Sequence, residues 1–218
     1  MNTLVLFYFL HNVLATLILG STFARKRDAV IKHFGIALLL NTVAFAIWSL
    51  AVMNRPANLE SYVTAGVVFF ILSLIAFLSA ATLGRGGRKQ ILGVAVIIAA
   101  VVFYLRMSAF PSAAAFSPEG LFFFNPHPFV ALAYVFGLAL CAFPAIEALA
   151  SKFTGGYATL LRYGLNIEVA GGILLIVSSD SIVGSADALY LAGWIMGLMY
   201  LALWTTFAFG KKAWQGVS

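Results

Sequence analysis

Apolar runs of about 20 residues dominate this sequence and restrict it to a helical bundle in a membrane. Such a run crosses a hydrocarbon core roughly 30 Å thick at 1.5 Å rise per residue. A helix also satisfies its own backbone hydrogen bonds, as lipid requires. Of the 218 residues, 63% are hydrophobic and 9% charged, whereas soluble domains have roughly 25% charged residues. We therefore expect an all-α membrane protein.

Seven runs can be counted, and together they predict one domain over residues 1–218, a bundle of seven transmembrane helices. The predicted helices are 3–22, 34–52, 62–83, 90–105, 129–149, 162–183 and 188–209. The last two are separated by a turn rich in Ser, Asp and Gly, at 178–185, because these residues stabilise turns. The long segment 107–128 is rich in proline and phenylalanine. It is either a lid over the bundle or a hydrophobic loop resting in the headgroups.

The basic residues predict the orientation, since Lys and Arg are retained on the cytoplasmic side. One set of alternating loops, with the C-terminus, carries Arg25, Lys26, Arg27, Lys32, Arg85, Arg88, Lys89, Lys152, Arg162, Lys211 and Lys212. The other side carries Arg55 and Arg106. We therefore expect the N-terminus outside and the C-terminus in the cytoplasm, in a bacterial cytoplasmic membrane. The net charge of +6 is then explained by basic residues at the membrane surface and does not indicate nucleic-acid binding. We also expect that the first helix is not cleaved and remains as a membrane anchor.

Glu168 is the most unusual residue of the predicted sixth helix, because an acidic side chain at the bilayer centre costs roughly 3 kcal/mol. At 100° per residue it shares a face with Gly164 and Gly172, while Val169 points away. Small residues let helices approach closely in lipid, so this face should lie inside the bundle. Glu168 then either binds a ligand, proton or cation, or only holds helices together.

Five further residues are candidates for a ligand pocket among helices one, two, six and seven. His11 and Asn12 lie in helix one, and Asn41 and Trp48 share a face of helix two. Trp194 lies near the centre of helix seven, on a face with Tyr190, Gly197, Leu201 and Trp204. Counting from the predicted ends places His11 and Glu168 roughly 9 Å apart in depth, too far for direct contact.

Several kinds of site lack the residues they need. The sequence has no paired intramembrane carboxylates, no histidine-rich metal set, no Gly-x-Ser-x-Gly motif and no phosphate-binding glycine loop. Helix seven has no intramembrane lysine for a retinal Schiff base. We therefore expect neither a catalytic residue, a metal nor a cofactor.

Three stretches resemble the N-terminal seven-helix sensory region of bacterial histidine kinases. They are ALLLNTVAFAIWSLAV, GLFFFNPHPFVALAYVFGLAL and LRYGLNIEVAGGILLIVSSDSIVGSADALYLAGWIMGLMYLALWTTFAF, together a little under half of the chain. The resemblance lies in Leu-Arg-Tyr, a later Gly-Gly, a short turn, an aromatic last helix and Trp-Ser-Leu in helix two. It implies a receptor region that detects an outer or intramembrane signal and moves its last helix to regulate a cytoplasmic domain. Only AWQGVS follows Lys212, so we expect either a stand-alone sensory module that signals through a partner or a function that has diverged.

Two main functions follow as hypotheses. The first is a receptor or sensor that binds a small or lipophilic ligand within the helices and signals through a membrane or cytoplasmic partner. The second is a small transporter in which Glu168 couples substrate to protons or sodium. A third is an accessory subunit of a larger membrane complex.

Overall fold

The computed structural model describes residues 3–112, 114–116, 122–178 and 186–215. Within them the chain forms seven α-helices, a two-stranded antiparallel pair and a short 3-10 helix. The α-helices are α1 (Thr3–Ala24), α2 (Ala29–Asn54), α3 (Leu59–Ala81), α4 (Arg88–Ser108), α5 (Pro128–Ala150), α6 (Gly155–Ser178) and α7 (Ala186–Phe209). The strands are β1 (Ala115–Phe116) and β2 (Phe122–Phe123), and the 3-10 helix is Lys211–Trp214. The expected all-α class is confirmed.

Six of these helices form a closed ring. Each packs against the next in the order α1, α2, α3, α5, α6 and α7, and α7 packs against α1 again. Glycines permit the closest of these contacts: a Cβ on Gly35 would overlap the backbone of α1 at Ala24. Helices held together in lipid depend on such close packing. The ring therefore encloses a central space whose walls come from non-adjacent parts of the sequence.

Helix α4 stands outside the ring against α3 and α5. Arg106, in its last turn, is its one buried residue. The rest of α4 exposes large apolar side chains, among them Ile97 and Tyr104. This is the surface expected of a helix that faces lipid on most sides.

Five helices, α2 to α6, are long and apolar enough to cross a membrane by length and composition. In α1 and α7 the part whose side chains the structure describes is also apolar, over Phe9–Ala24 and Gly193–Phe209. The structure thus agrees with a helical membrane protein.

The sixth helix begins earlier than predicted. It starts at Gly155 and not at Arg162, because Tyr157, Leu160 and Leu161 pack against the core and extend the helix instead of forming a loop. Arg162 is therefore a helical residue, and its Nε lies 2.9 Å from Glu147 Oε1 at the end of α5. The predicted end at 183 and most of the predicted turn lie outside the described residues. Glu168 consequently lies in the middle part of the helix.

Aromatic residues close one end of the bundle, which we name the basic end. Trp214 of the 3-10 helix packs against Phe23, Phe153 and Phe207, with ring centroids 5.6, 5.4 and 6.1 Å away. Lys26 Nζ lies 3.5 Å from the centre of the Trp214 ring, and burial lowers the pKa of that ammonium. The end of α7 is thereby tied to the α1–α2 and α5–α6 connections.

A salt bridge joins the same two connections. Asp28 caps α2 by accepting from the amides of Val30 and Ile31, and its Oδ2 lies 3.0 Å from Lys152 Nζ. Burial alone would raise the pKa of this carboxyl, but the Ile31 amide, Lys152 and the Val30 amide together lower it below its ordinary value. The carboxylate is therefore the favoured form near neutral pH.

Candidate functional site: a central cavity

A cavity runs through the centre of the helix ring. It contains about 1070 Å³ of space not filled by protein atoms, its opening included. Its walls come mainly from α2, α3, α5, α6 and α7, and none of the lining residues that the structure describes belongs to α1. On α2 alone the lining extends from Phe34 to Trp48, a rise of roughly 21 Å. The cavity is thus elongated along the helices and apolar over most of its surface.

Glu168 lies on the wall of this cavity. Its side chain is held among apolar neighbours, and the residue is only 5% exposed. The backbone of Tyr200 on α7 lies near the carboxylate, but neither Glu168 oxygen has hydrogen-bond geometry with any group in the described part of the chain. A buried polar group in this condition is unusual in folded proteins. The cavity wall also carries the Trp48 Nε1 and the Tyr134 hydroxyl without a hydrogen-bond partner in the described part of the chain, so Glu168 is its one such group of charged type.

Two glycines on the same face of α6 let the neighbouring helices approach Glu168. A Cβ on Gly164 would lie 3.1 Å from Leu203 on α7, and one on Gly172 would lie 3.2 Å from Leu138 on α5. The prediction that Glu168 shares an inward face with these glycines is confirmed. Val169 was predicted to point away, but it also lines the cavity. Helix α6 is flanked by α5 and α7, so more than one of its faces is covered.

The two candidates on α2 lie where the sequence predicts. Asn41 and Trp48 both line the cavity. Asn41 Oδ1 accepts a hydrogen bond of 2.9 Å from Ser73 Oγ on α3. Trp48 packs across Gly66 so closely that an added Cβ there would overlap the indole. These contacts fix both side chains against α3.

The two candidates on α1 lie elsewhere. His11 Nε2 is 2.9 Å from the carbonyl oxygen of Gly197 on α7, and the buried Asn12 does not line the cavity. The expected pocket among helices one, two, six and seven is therefore wrong in its membership, because α7 separates α1 from α6. Since Gly197 and Tyr200 are three residues apart, His11 and Glu168 differ in depth by roughly 4.5 Å, about one turn of α7 and not 9 Å.

Trp194 is not at the cavity either. It is 57% exposed, and Leu201 on the same face is exposed too. The cavity side of α7 carries Met196 and Tyr200, so the sequence pointed to the wrong face of this helix. The side chain of Tyr190 lies outside those that the structure describes.

A polar cluster that the sequence did not predict lies near the end of the cavity opposite the basic end. Arg106 is 2% exposed, forms an ion pair with Glu60, and donates hydrogen bonds of 2.8 Å to Thr64 Oγ1 and Ser112 Oγ. Ser112 Oγ in turn donates to Glu60 Oε1 at 2.6 Å. Arg106 and Ser112 both line the cavity. The signal for this cluster was a basic and an acidic residue at the ends of apolar runs, where ionisable groups usually pair.

The described part of the segment between α4 and α5 covers this end of the cavity. Phe124 and Pro126 line it, and Phe122 is buried. The ring of Phe124 meets that of Trp48 edge to face, with centroids 4.9 Å apart. Of the two interpretations left open for this segment, its described residues fit the lid.

The chemistry that this arrangement supports is binding. The described residues contain no group of three or more His, Cys, Asp or Glu side chains that could hold a metal ion. No known protein family matches the chain, and no similar protein is found among characterised proteins or solved structures. The candidate function therefore depends on the cavity itself.

Proposed function

We propose that this protein is an integral membrane receptor that binds a small lipophilic ligand inside its helix ring. The observation that carries the proposal is the elongated apolar cavity with a buried carboxylate, Glu168, on its wall. Binding sites for small molecules are typically apolar cavities with a few polar groups that fix orientation. An intramembrane ionisable residue facing a cavity is a functional residue by default.

In this proposal all seven helices cross the membrane, and the basic end faces the cytoplasm. Helix α7 connects the cavity to that end: Tyr200 lines the cavity, and Phe207, two turns further, is fully buried in the aromatic cluster around Trp214. A ligand that displaces α7 would disturb this cluster and present a changed surface to a signalling partner. This scheme agrees with the resemblance to histidine kinase sensory regions.

Two matched substitutions on α5 test the binding site. Ala142 lines the cavity and is 2% exposed, so Ala142→Phe should fill the cavity and abolish saturable binding of lipophilic probes. Leu140 faces outward and is 69% exposed, so Leu140→Phe should leave binding unchanged. Binding is measured with the purified protein in lipid nanodiscs by equilibrium titration. Equal binding by both variants would exclude the cavity as the site.

Coupled transport is the second candidate, favoured by the position of the Glu168 carboxylate in the cavity. A proton- or sodium-coupled transporter needs such a titratable or cation-binding group along the substrate path. Counterflow of a bound probe in proteoliposomes separates the two functions. A receptor shows binding without counterflow, whereas a transporter shows both.

A further inference from the structure

We propose that the cavity selects a lipophilic amine, an elongated apolar molecule whose positively charged end binds the Glu168 carboxylate. This inference rests on the proposed function and adds the chemical class of the ligand. The argument uses the charges on the cavity wall, the depth of Glu168 and the shape of the surrounding space.

The two ionisable side chains on the wall differ in their partners. Among the described lining residues only Arg106 and Glu168 are of charged types. Arg106 is neutralised by Glu60, and Thr64 and Ser112 also accept hydrogen bonds from its guanidinium. Glu168 has no cation beside it in any salt bridge of the described residues. A ligand that carries a positive charge would supply the cation that stabilises the carboxylate form of Glu168, and a ligand that carries a negative charge would disfavour that form.

The two charged groups also lie at different depths. Gly172 meets Leu138 on α5, and Tyr134, one turn from Leu138, lies within electrostatic reach of Arg106. Glu168 is one turn beyond Gly172 in the opposite direction, so the Tyr134 and Glu168 levels differ by about two turns, roughly 11 Å. An anionic group at Glu168 therefore could not use Arg106 for compensation.

The space around Glu168 fits an apolar chain. Leu138, Ala142, Leu165 and Met196 line the cavity together with it, and they offer no charge or strong hydrogen-bonding group to a ligand. Burial of apolar ligand surface against such residues favours binding. In a low-dielectric site a charge-assisted hydrogen bond is roughly twice as strong as a neutral one. The apolar chain of the ligand thus contributes affinity, and its ammonium group contributes selectivity.

The test compares dodecylamine, dodecanol and dodecanoate, which share one chain and differ in the polar end. Their binding to wild type, Glu168→Gln and Ala142→Phe is titrated in the same nanodiscs, so that partition into lipid cancels when variants are compared. We expect wild type to bind dodecylamine about tenfold more tightly than dodecanol, from the difference between charged and neutral hydrogen bonds. Dodecanoate should bind more weakly than either. Glu168→Gln should abolish the preference for the amine and keep dodecanol binding, which also shows that the variant is folded.

Each outcome decides between the two proposals. If the amine preference survives in Glu168→Gln, or if dodecanoate binds as tightly as dodecylamine, the amine inference is wrong while the receptor proposal stands. If the three probes bind equally to wild type and Ala142→Phe blocks all of them, the cavity binds ligands without selecting amines. If none of the probes binds saturably, both proposals fail.

Discussion

The buried pair between Arg106 and Glu60 gives a prediction whose size follows from the structure. Arg106 is 2% exposed on its side chain, whereas the Glu60 side chain is 40% exposed. Removing the carboxylate leaves a buried cation without its partner, which lowers the free energy of unfolding by about 3 to 5 kcal/mol when a pair is fully buried. The partial exposure of Glu60 places Glu60→Gln near the lower limit, at about 3 kcal/mol.

Removing the arginine instead of the glutamate should lower the free energy of unfolding much less. Arg106→Met keeps an apolar side chain in the buried position and leaves Glu60, whose side chain is 40% exposed, with the Ser112 hydroxyl still donating to its Oε1. We expect a loss of about 1 kcal/mol, the scale of a pair that is partly solvated. The double variant Glu60→Gln/Arg106→Met should be more stable than Glu60→Gln alone, because it no longer contains an unpaired buried charge.

Chemical unfolding in detergent micelles, followed by far-ultraviolet circular dichroism, measures these differences. Glu147→Gln is the matched control, since it breaks an Arg–Glu pair whose side chains are 42% and 54% exposed and should cost no more than about 0.5 kcal/mol. Because Arg106 is the one buried residue of α4, Glu60→Gln should also make the segment after α4 more sensitive to proteolysis. Equal losses for Glu60→Gln and Arg106→Met would refute the reasoning from burial.

Two further pairs of substitutions test local packing and the basic end. Gly66→Ala should destabilise the protein by about 1 to 3 kcal/mol and shift tryptophan emission, because the new Cβ overlaps the Trp48 indole. In the control Gly93→Ala the new Cβ meets nothing within 4 Å, so neither stability nor emission should change. Thermal melting and fluorescence measure the two effects. Asp28→Ala should cost about 1 kcal/mol through loss of the α2 cap, whereas Asp28→Asn should keep the cap and lose only the Lys152 ion pair. Because the pKa of Asp28 is lowered in the folded protein, the ionised carboxylate adds to the free energy of unfolding above the ordinary pKa of 3.8, and this stability is lost as the pH falls below that value. If the difference in free energy of unfolding between wild type and Asp28→Ala grew on acidification, this reasoning would be contradicted.

The helices themselves could be predicted from the sequence, because long apolar runs determine them almost independently of tertiary contacts. Helix faces were predictable only where a polar or small residue marked them. Glu168 and the glycines of α6 marked one face, and Asn41 marked that of α2. Helix α7 is apolar on every side, so periodicity gave no signal, and Trp194 was placed at the cavity when it faces outward.

The pairing of helices was beyond the sequence for a different reason. Which helices are neighbours depends on shape complementarity between surfaces of similar hydrophobicity. The ring that places α7 between α1 and α6, and thereby separates His11 from Glu168, leaves no local trace in the sequence. The Arg106–Glu60 pair joins residues that are 46 positions apart, and both positions fall outside the predicted helices, on the same side of the membrane.

Tryptophan quenching tests most directly whether a ligand occupies the cavity. Two proteins are compared in nanodiscs, one with Trp48 and one with Trp194 as its single tryptophan, the others being replaced by phenylalanine. Dodecylamine brominated on its chain quenches indoles that it contacts. Trp48 lines the cavity, so we expect its quenching to saturate and to be reversed by unlabelled dodecylamine. Trp194 faces outward, so its quenching should rise with the amount of brominated amine in the lipid and should not be reversed by unlabelled amine. If Trp48 behaves in the same way as Trp194, the cavity is not a binding site and the account is wrong.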